Sequence, residues 1–356
     1  MTSIGRIIRI AAVAAAFGLI FGAAAPAPAQ PSLERPRTSQ RASVMQRVGI
    51  TDITVVYHRP GVKGREIWGA LVPYGQVWRT GANEVTTISF SDPVTVGGTP
   101  MPAGTYGLFT LPGPSSWTLI LSSNTTTWGT VYDSTRDVLR VEMKPEASGF
   151  TEWMTFGFTG LSDTGATLEL RWEKLTVPVR IGVATAEIVL DRARKEFSAG
   201  ADSTRWQMLR QAAAYAASRN LHTDEALAWI DRSLAVDRNF QSLCVKADIL
   251  DLTGDAAGAG TTMDEAIAGA KENEVTSYAL QLRRDDRAAR AVSVLGMYAA
   301  RHGGSWSVSR ALGESYDAAG DRAKALQHLG DALAKAPGGP EKEEIGKLIQ
   351  TINQRK

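Results

Sequence analysis

The chain has 356 residues, 39 basic against 37 acidic side chains and one cysteine. It lacks the concentrated positive charge that nucleic-acid or anionic-membrane binding requires, and it has no pair of cysteines for an internal disulfide. The length accommodates two domains, each stabilised by buried apolar surface.

In chain order, Arg6 and Arg9 precede the apolar run Ile10–Ala25, and two overlapping small-x-small sites end at Ala27 and Ala29. This is the pattern of a secretory signal peptide over residues 1–29, cleaved after Ala29. The apolar run is short for a membrane span. Export to the periplasm or the cell exterior is expected, with no membrane anchor in the mature chain. Losing the two arginines lowers the formal charge from +2 to zero. Residues 30–41, polar and proline-bearing, read as a flexible lead-in.

Across residues 42–183 the apolar period is two. Ile53, Val55 and Tyr57 alternate with Asp52, Thr54, Val56 and His58; Trp117, Leu119 and Leu121 alternate with Thr118 and Ile120; Leu168, Leu170 and Trp172 alternate with Thr167, Glu169 and Arg171. Each run reads as a strand with one apolar face. Further strands are expected at 42–48, 85–90, 93–96, 105–111, 137–144, 151–159 and 175–181, with Gly97-Gly98 and Pro112-Gly113-Pro114 as turns. Ten short strands without helical crossovers predict an antiparallel β-sandwich or jelly roll of two packed sheets.

Tyr57–Glu84 interrupts that pattern. Five glycines and two prolines break any period, while His58, Arg59, Arg65, Arg79, Asn83 and Glu84 lie among Trp68, Tyr74 and Trp78. A loop of this length, rich in aromatics, is a shaped segment. In one reading it is a plug, with the tryptophans covering the core edge, Arg79 or Arg65 paired with Glu66 or Glu84, Asn83 capping a turn, and Arg79 and Glu84 near solvent. In the other, these residues and Trp128 of a second irregular loop converge on a ligand. Aromatic faces beside hydrogen-bonding groups suit a carbohydrate or a peptide.

Five ordered segments are RPGVKGREIWGALVPYGQVWRTGANEVTTISF (Arg59–Phe90), MPAGTYGLFTLPG (Met101–Gly113), WGTVYD (Trp128–Asp133), DVLRV (Asp137–Val141) and LRWEKLTVPVRI (Leu170–Ile181). Together they resemble a bacterial family called domain of unknown function 2911 (DUF2911), over roughly Pro36–Val183. The family has no established activity, so the resemblance implies a shared domain and assigns no catalytic residue.

Over residues 184–356 alanine becomes frequent and the apolar period lengthens to that of a helix, as in Ile188, Ala193 and Phe197 or Ala226, Leu227, Ile230 and Leu234. Asp191, Asp202 and Thr223 read as helix-start signals. Leu312, Gly313, Tyr316, Gly320, Ala325, Leu329, Ala332 and Pro337 fall at the spacings of a tetratricopeptide repeat (TPR). Steps of 34, 32 and 33 residues lead back from Ala325 to Ala291, Ala259 and Ala226. Three to four TPR-like helical repeats fit the length. The resemblance implies a concave groove for a protein or peptide partner.

No nucleophile-elbow, zincin, P-loop or dinucleotide-binding signature occurs. His58, His222, His302 and His328 are scattered, and Cys244 sits among apolar helix residues as a core thiol. No metal site and no cofactor are expected. The sequence therefore favours an exported, non-catalytic binding or assembly protein of the cell envelope, with a ligand-binding loop face followed by a protein-binding helical array. One alternative is an envelope hydrolase, glycosidase- or esterase-like, using loop carboxylates or His58. It would require either two convergent carboxylates or a contact between His58 and a carboxylate. The other is a purely structural loop, with only the helices binding partners.

Overall fold

The computed structural model describes residues 35–126 and 131–355. The segment read as an export signal and Trp128 lie outside the described residues.

Among the described residues ten strands form the first domain: β1 (Gln40–Val48), β2 (Thr51–Arg59), β3 (Thr86–Phe90), β4 (Val94–Val96), β5 (Thr99–Met101), β6 (Gly104–Leu111), β7 (Trp117–Ser122), β8 (Asp137–Met143), β9 (Glu146–Ser162) and β10 (Gly165–Gly182). One sheet runs β1-β2-β3-β6-β7-β8 and the other β5-β4-β10-β9, and the strand pairs are antiparallel. The expected alternation packs Ile53, Val55 and Tyr57 of β2 against Leu168, Leu170 and Trp172 of β10 in one core.

Three strand expectations change. The separate strands around 167–172 and 175–181 are one continuous β10. Bulges flank Glu173, whose φ of 55° lets the strand bend without breaking its pairing with β9. The three-residue β5 went unread because Pro100 obscures it; Gly97 and Gly98 turn the chain at φ 56° and 85° and lay it back on β4. β1 starts at Gln40, two residues inside the lead-in.

The Tyr57–Glu84 loop sends its tryptophans inward. The Trp68 ring lies 5.0 Å from Trp117, 5.6 Å from Trp172 and 6.1 Å from Trp78, mostly edge to face, and Trp78 stacks on Trp172 at 5.8 Å. Trp117 and Trp172 are 1% exposed. Such pairs add attraction beyond the area they bury. The Trp78 indole also donates to the Gly81 carbonyl at 3.1 Å, which ties the loop's end to its own ring.

Among the described residues ten α-helices follow: α1 (Thr185–Ser198), α2 (Trp206–Ser218), α3 (Thr223–Val236), α4 (Phe240–Leu252), α5 (Ala256–Gly269), α6 (Glu272–Arg284), α7 (Ala288–His302), α8 (Trp306–Ala318), α9 (Arg322–Lys335) and α10 (Gly339–Gln354). Consecutive pairs from α2/α3 to α8/α9 are the repeats. Ala226, Ala259, Ala291 and Ala325 occupy equivalent buried positions on α3, α5, α7 and α9. Ala213, Ala247, Ala279 and Gly313 repeat on α2, α4, α6 and α8 where helices cross closely. A Cβ added at Gly313 would stand 2.6 Å from the Leu329 side chain and 3.0 Å from the Ala325 carbonyl.

Asp191, read as a helix start, lies inside α1 and pairs with Arg194 at 2.5 Å. Helix α1 instead begins at Thr185 without a side-chain cap. Its Ile188 belongs to the sandwich core while Leu190, Ala193 and Phe197 belong to the helical core. Arg192 reaches the buried Asp92 of the β3–β4 turn at 2.7 Å. One helix thus fastens the two domains together.

Candidate functional site

Arg79 apart, the described candidates separate into three groups. Trp68 and Trp78 belong to the aromatic core just described. Arg59 donates to the Met154 carbonyl at 2.9 Å, and Arg65 to the carbonyls of Gly61 and Val62 at 2.6 and 3.1 Å. Tyr74 packs beside Gly69 with much of its ring exposed. These side chains hold the loop's shape.

His58, Asn83 and Glu84 do come together. His58 follows Val56 on the outer face of β2, where solvent would be expected, yet only 7% of it is exposed. Its Nε2 stands 3.2 Å from a Glu84 carboxylate oxygen, and burial pulls the imidazole's pKa below its ordinary value. The expected pairing of Glu84 with Arg65 or Arg79 gives way to Arg37, whose Nη1 donates to both carboxylate oxygens at 2.6 and 2.8 Å. That hydrogen bond keeps the carboxyl below the usual range. Asn83, at φ 58°, turns the loop and donates its amide to the Ser39 carbonyl at 3.1 Å, so it anchors the lead-in as well as shaping the turn.

These contacts fold the lead-in back over the sheet and leave a cleft of about 1200 Å³ lined by Arg35, Arg37, Arg41, His58, Glu84 and Thr87, with Val56 and Val85 as apolar surface. The three arginines are absent from the sequence-derived set. Arg41 stands opposite His58 in the β1–β2 register, a position readable only once that pairing is known. Among the described residues Glu84 is the single carboxylate in the lining, so they do not build there the facing pair a glycosidase needs. The other requirement of the hydrolase alternative, a His58–carboxylate contact, is present. Arg79, placed near solvent by the sequence reading, is half-buried; burial lowers its pKa, and among the described residues its Nε has no hydrogen-bond partner.

The second concave region lies on the helices. A groove of about 690 Å³ between α2, α4 and α6 is lined by Arg210, Gln211, Tyr215, Val245, Tyr278 and Arg287, among others. Arg287 and Arg290 are neutralised by the same Asp248 carboxylate at 2.5 and 2.7 Å. Arg210 is different. Among the described residues no carboxylate pairs with it, its Nε is buried without a partner, and burial depresses its pKa. Cys244 is fully buried beneath this wall, its thiol pushed up by desolvation, and is a core residue.

Among the described residues no group of three or more His, Cys, Asp or Glu side chains could hold a metal ion. No described helix is long and apolar enough to cross a membrane.

Residues 39–181 match the family model described as Protein of unknown function (DUF2911). The sandwich is a DUF2911 domain. The DUF2911 domain supplies Arg41, His58, Glu84 and Thr87 of the cleft, whereas Arg35 and Arg37 precede the matched residues. Among solved structures the chain is similar to a crystal structure of MamA at 14% identity, covering 46% of this chain and 92% of that one, with a TM-score of 0.27. It is likewise similar to MamA 41-end from Desulfovibrio magneticus RS-1 at 14% identity, covering 44% and 95% with a TM-score of 0.22. Scores this low carry no argument about a site or a partner. No curated protein gives a match.

Proposed function

We propose that this is an exported, non-catalytic binding protein of the cell envelope. Its helical array holds a protein segment in the α2–α4–α6 groove, and its DUF2911 domain presents the His58 cleft to a small ligand. Arg210 carries the first part. A half-buried guanidinium without a counter-ion bears a desolvation cost that an incoming carboxylate offsets; of the groove's other arginines, Arg287 already has Asp248 and Arg219 lies over the Tyr215 ring. The segment that fits is therefore acidic, extended over successive first helices of the repeats.

The test uses the full mature chain and a pool of ten-residue peptides, acetylated and amidated at their ends, made in matched Glu and Gln versions. Preferential capture of Glu peptides, reduced about tenfold or more by Arg210→Gln, is expected. Equal capture of the two versions, or capture that Arg210→Gln leaves unchanged, contradicts the reading.

The His58–Glu84 contact favours a second reading, in which Glu84 orients His58 as a general base toward water. Turnover of a panel of aryl esters and glycosides that disappears in His58→Ala would establish it. Absence of turnover by the wild-type chain removes it.

A further inference from the structure

The cleft of the sandwich has an uneven charge inventory. Among the described residues three arginines, Arg35, Arg37 and Arg41, line it against the one Glu84 carboxylate, and His58 is held toward its neutral form by burial and by the charges of Arg37 and Arg41. Glu84 is occupied by Arg37 through both oxygens. Among the described residues no carboxylate pairs with Arg35 or Arg41, so two positive charges of the lining have no fixed counter-charge. The lining also holds neutral hydrogen-bonding groups, Gln40 and Thr87, and the apolar Pro36, Val56 and Val85.

From this arrangement we infer that the cleft binds a small organic dianion, a phosphomonoester or a dicarboxylate on a short apolar body. Its two negative charges are taken by Arg35 and Arg41, and its body lies on Val56 and Val85. Guanidinium groups pair with either headgroup through two parallel N–H donors, which gives orientation as well as attraction. Glu84 supports the site indirectly. By fixing Arg37 and facing His58, it holds the lead-in in place as one wall and keeps a third free cation from crowding the anion. The volume of about 1200 Å³ accommodates such a molecule with room for water. The inference rests on the reading of this cleft as the DUF2911 domain's ligand site and is independent of the helical groove.

The experiment titrates the full mature chain calorimetrically with phenyl phosphate, phthalate and the neutral benzyl alcohol, while the His58 imidazole signals are followed by NMR. Saturable binding of a dianion is expected, with a His58 shift, little binding of benzyl alcohol, and a loss of about tenfold in Arg41→Gln and more in the Arg35→Gln/Arg41→Gln pair. Phenyl phosphate binding alone assigns a phosphate ester, and phthalate binding alone assigns a dicarboxylate. Thr87→Trp, which narrows the cleft, separates the two ways of failing. Binding of all three probes that Thr87→Trp abolishes and the arginine variants spare overturns the dianion and keeps the cleft as a ligand site. No saturable binding of any probe, or binding that Thr87→Trp leaves untouched, overturns both.

Discussion

The cleft of the sandwich gathers Arg37 from the lead-in, His58 from a strand and Glu84 from the end of an irregular loop, positions that share no period in the chain. The groove of the helical array draws on α2, α4 and α6 at corresponding turns, and Ala213, Ala247, Ala279 and Gly313 mark the same close crossing in each repeat. A repeat presents its surface by translation, so one unit read correctly indicates the next. A sandwich site depends on register and on segments that cross the sheet, and neither is local. The contrast extends to charge. The groove neutralises Arg287 internally, lays Arg219 over the Tyr215 ring and leaves Arg210 without a carboxylate partner among the described residues, whereas the cleft keeps its excess charge on exposed side chains at the rim.

The comparison breaks most sharply at the two cores. Trp172→Ala removes a 1% exposed ring that touches Trp68 and Trp78, and should destabilise the sandwich by about 3–5 kcal/mol. Urea unfolding followed by near-ultraviolet dichroism should show that loss, with the helical far-ultraviolet transition moving less. Gly313→Leu forces a side chain against Leu329 and the Ala325 carbonyl. It should cost the array about 1–3 kcal/mol, with the order of sensitivity reversed: the helical transition falls and the aromatic signal holds.

Arg210→Met keeps the stem and removes the uncompensated charge, so it should raise the stability of the free array by about 1 kcal/mol. A fall in stability of the same size would show that the guanidinium is satisfied in a way the geometry does not reveal. The smallest effect concerns His58, whose folded pKa lies below its unfolded value near 6.5. Above that pH both states are neutral and nothing changes. As pH falls below about 6.5 the unfolded chain takes the proton first, so stability declines until the folded pKa is passed. Glu84, also depressed when folded, loses its contribution only below about pH 4.5, so the two windows are separate. Sandwich stability measured at pH 7 and 5.5 should differ less in His58→Gln than in the wild type.

The strand faces, the two-sheet architecture and the helical repeats were legible because each is written as a period of two, of 3.6, or of about 33 residues. The continuous β10 was misread because the turn-like bend at Glu173 is a bulge, and a bulge carries no signature that separates it from a strand end. Within the Tyr57–Glu84 loop the sequence left open whether the tryptophans face inward or outward, since glycine-rich turns permit both. The partners that settled it, Trp117 and Trp172, lie roughly 40 to 100 residues further along the chain. The arginines of the cleft were hidden in a segment whose polarity and proline suggested only flexibility. What orders it is the Asn83–Ser39 hydrogen bond and the Arg37–Glu84 pair, contacts across 44 and 47 residues. Arg210 was equally silent, because an arginine without a partner looks like any other until its surroundings are known.

The proposal of two separate binding sites is tested most directly by one affinity series. A captured Glu-containing peptide is titrated into the full chain and into its Arg210→Gln and Arg41→Gln variants. The account predicts a loss of about tenfold or more for Arg210→Gln and wild-type affinity for Arg41→Gln. Equal losses in both variants, or a loss in Arg41→Gln alone, would contradict it and place the acidic segment on the sandwich.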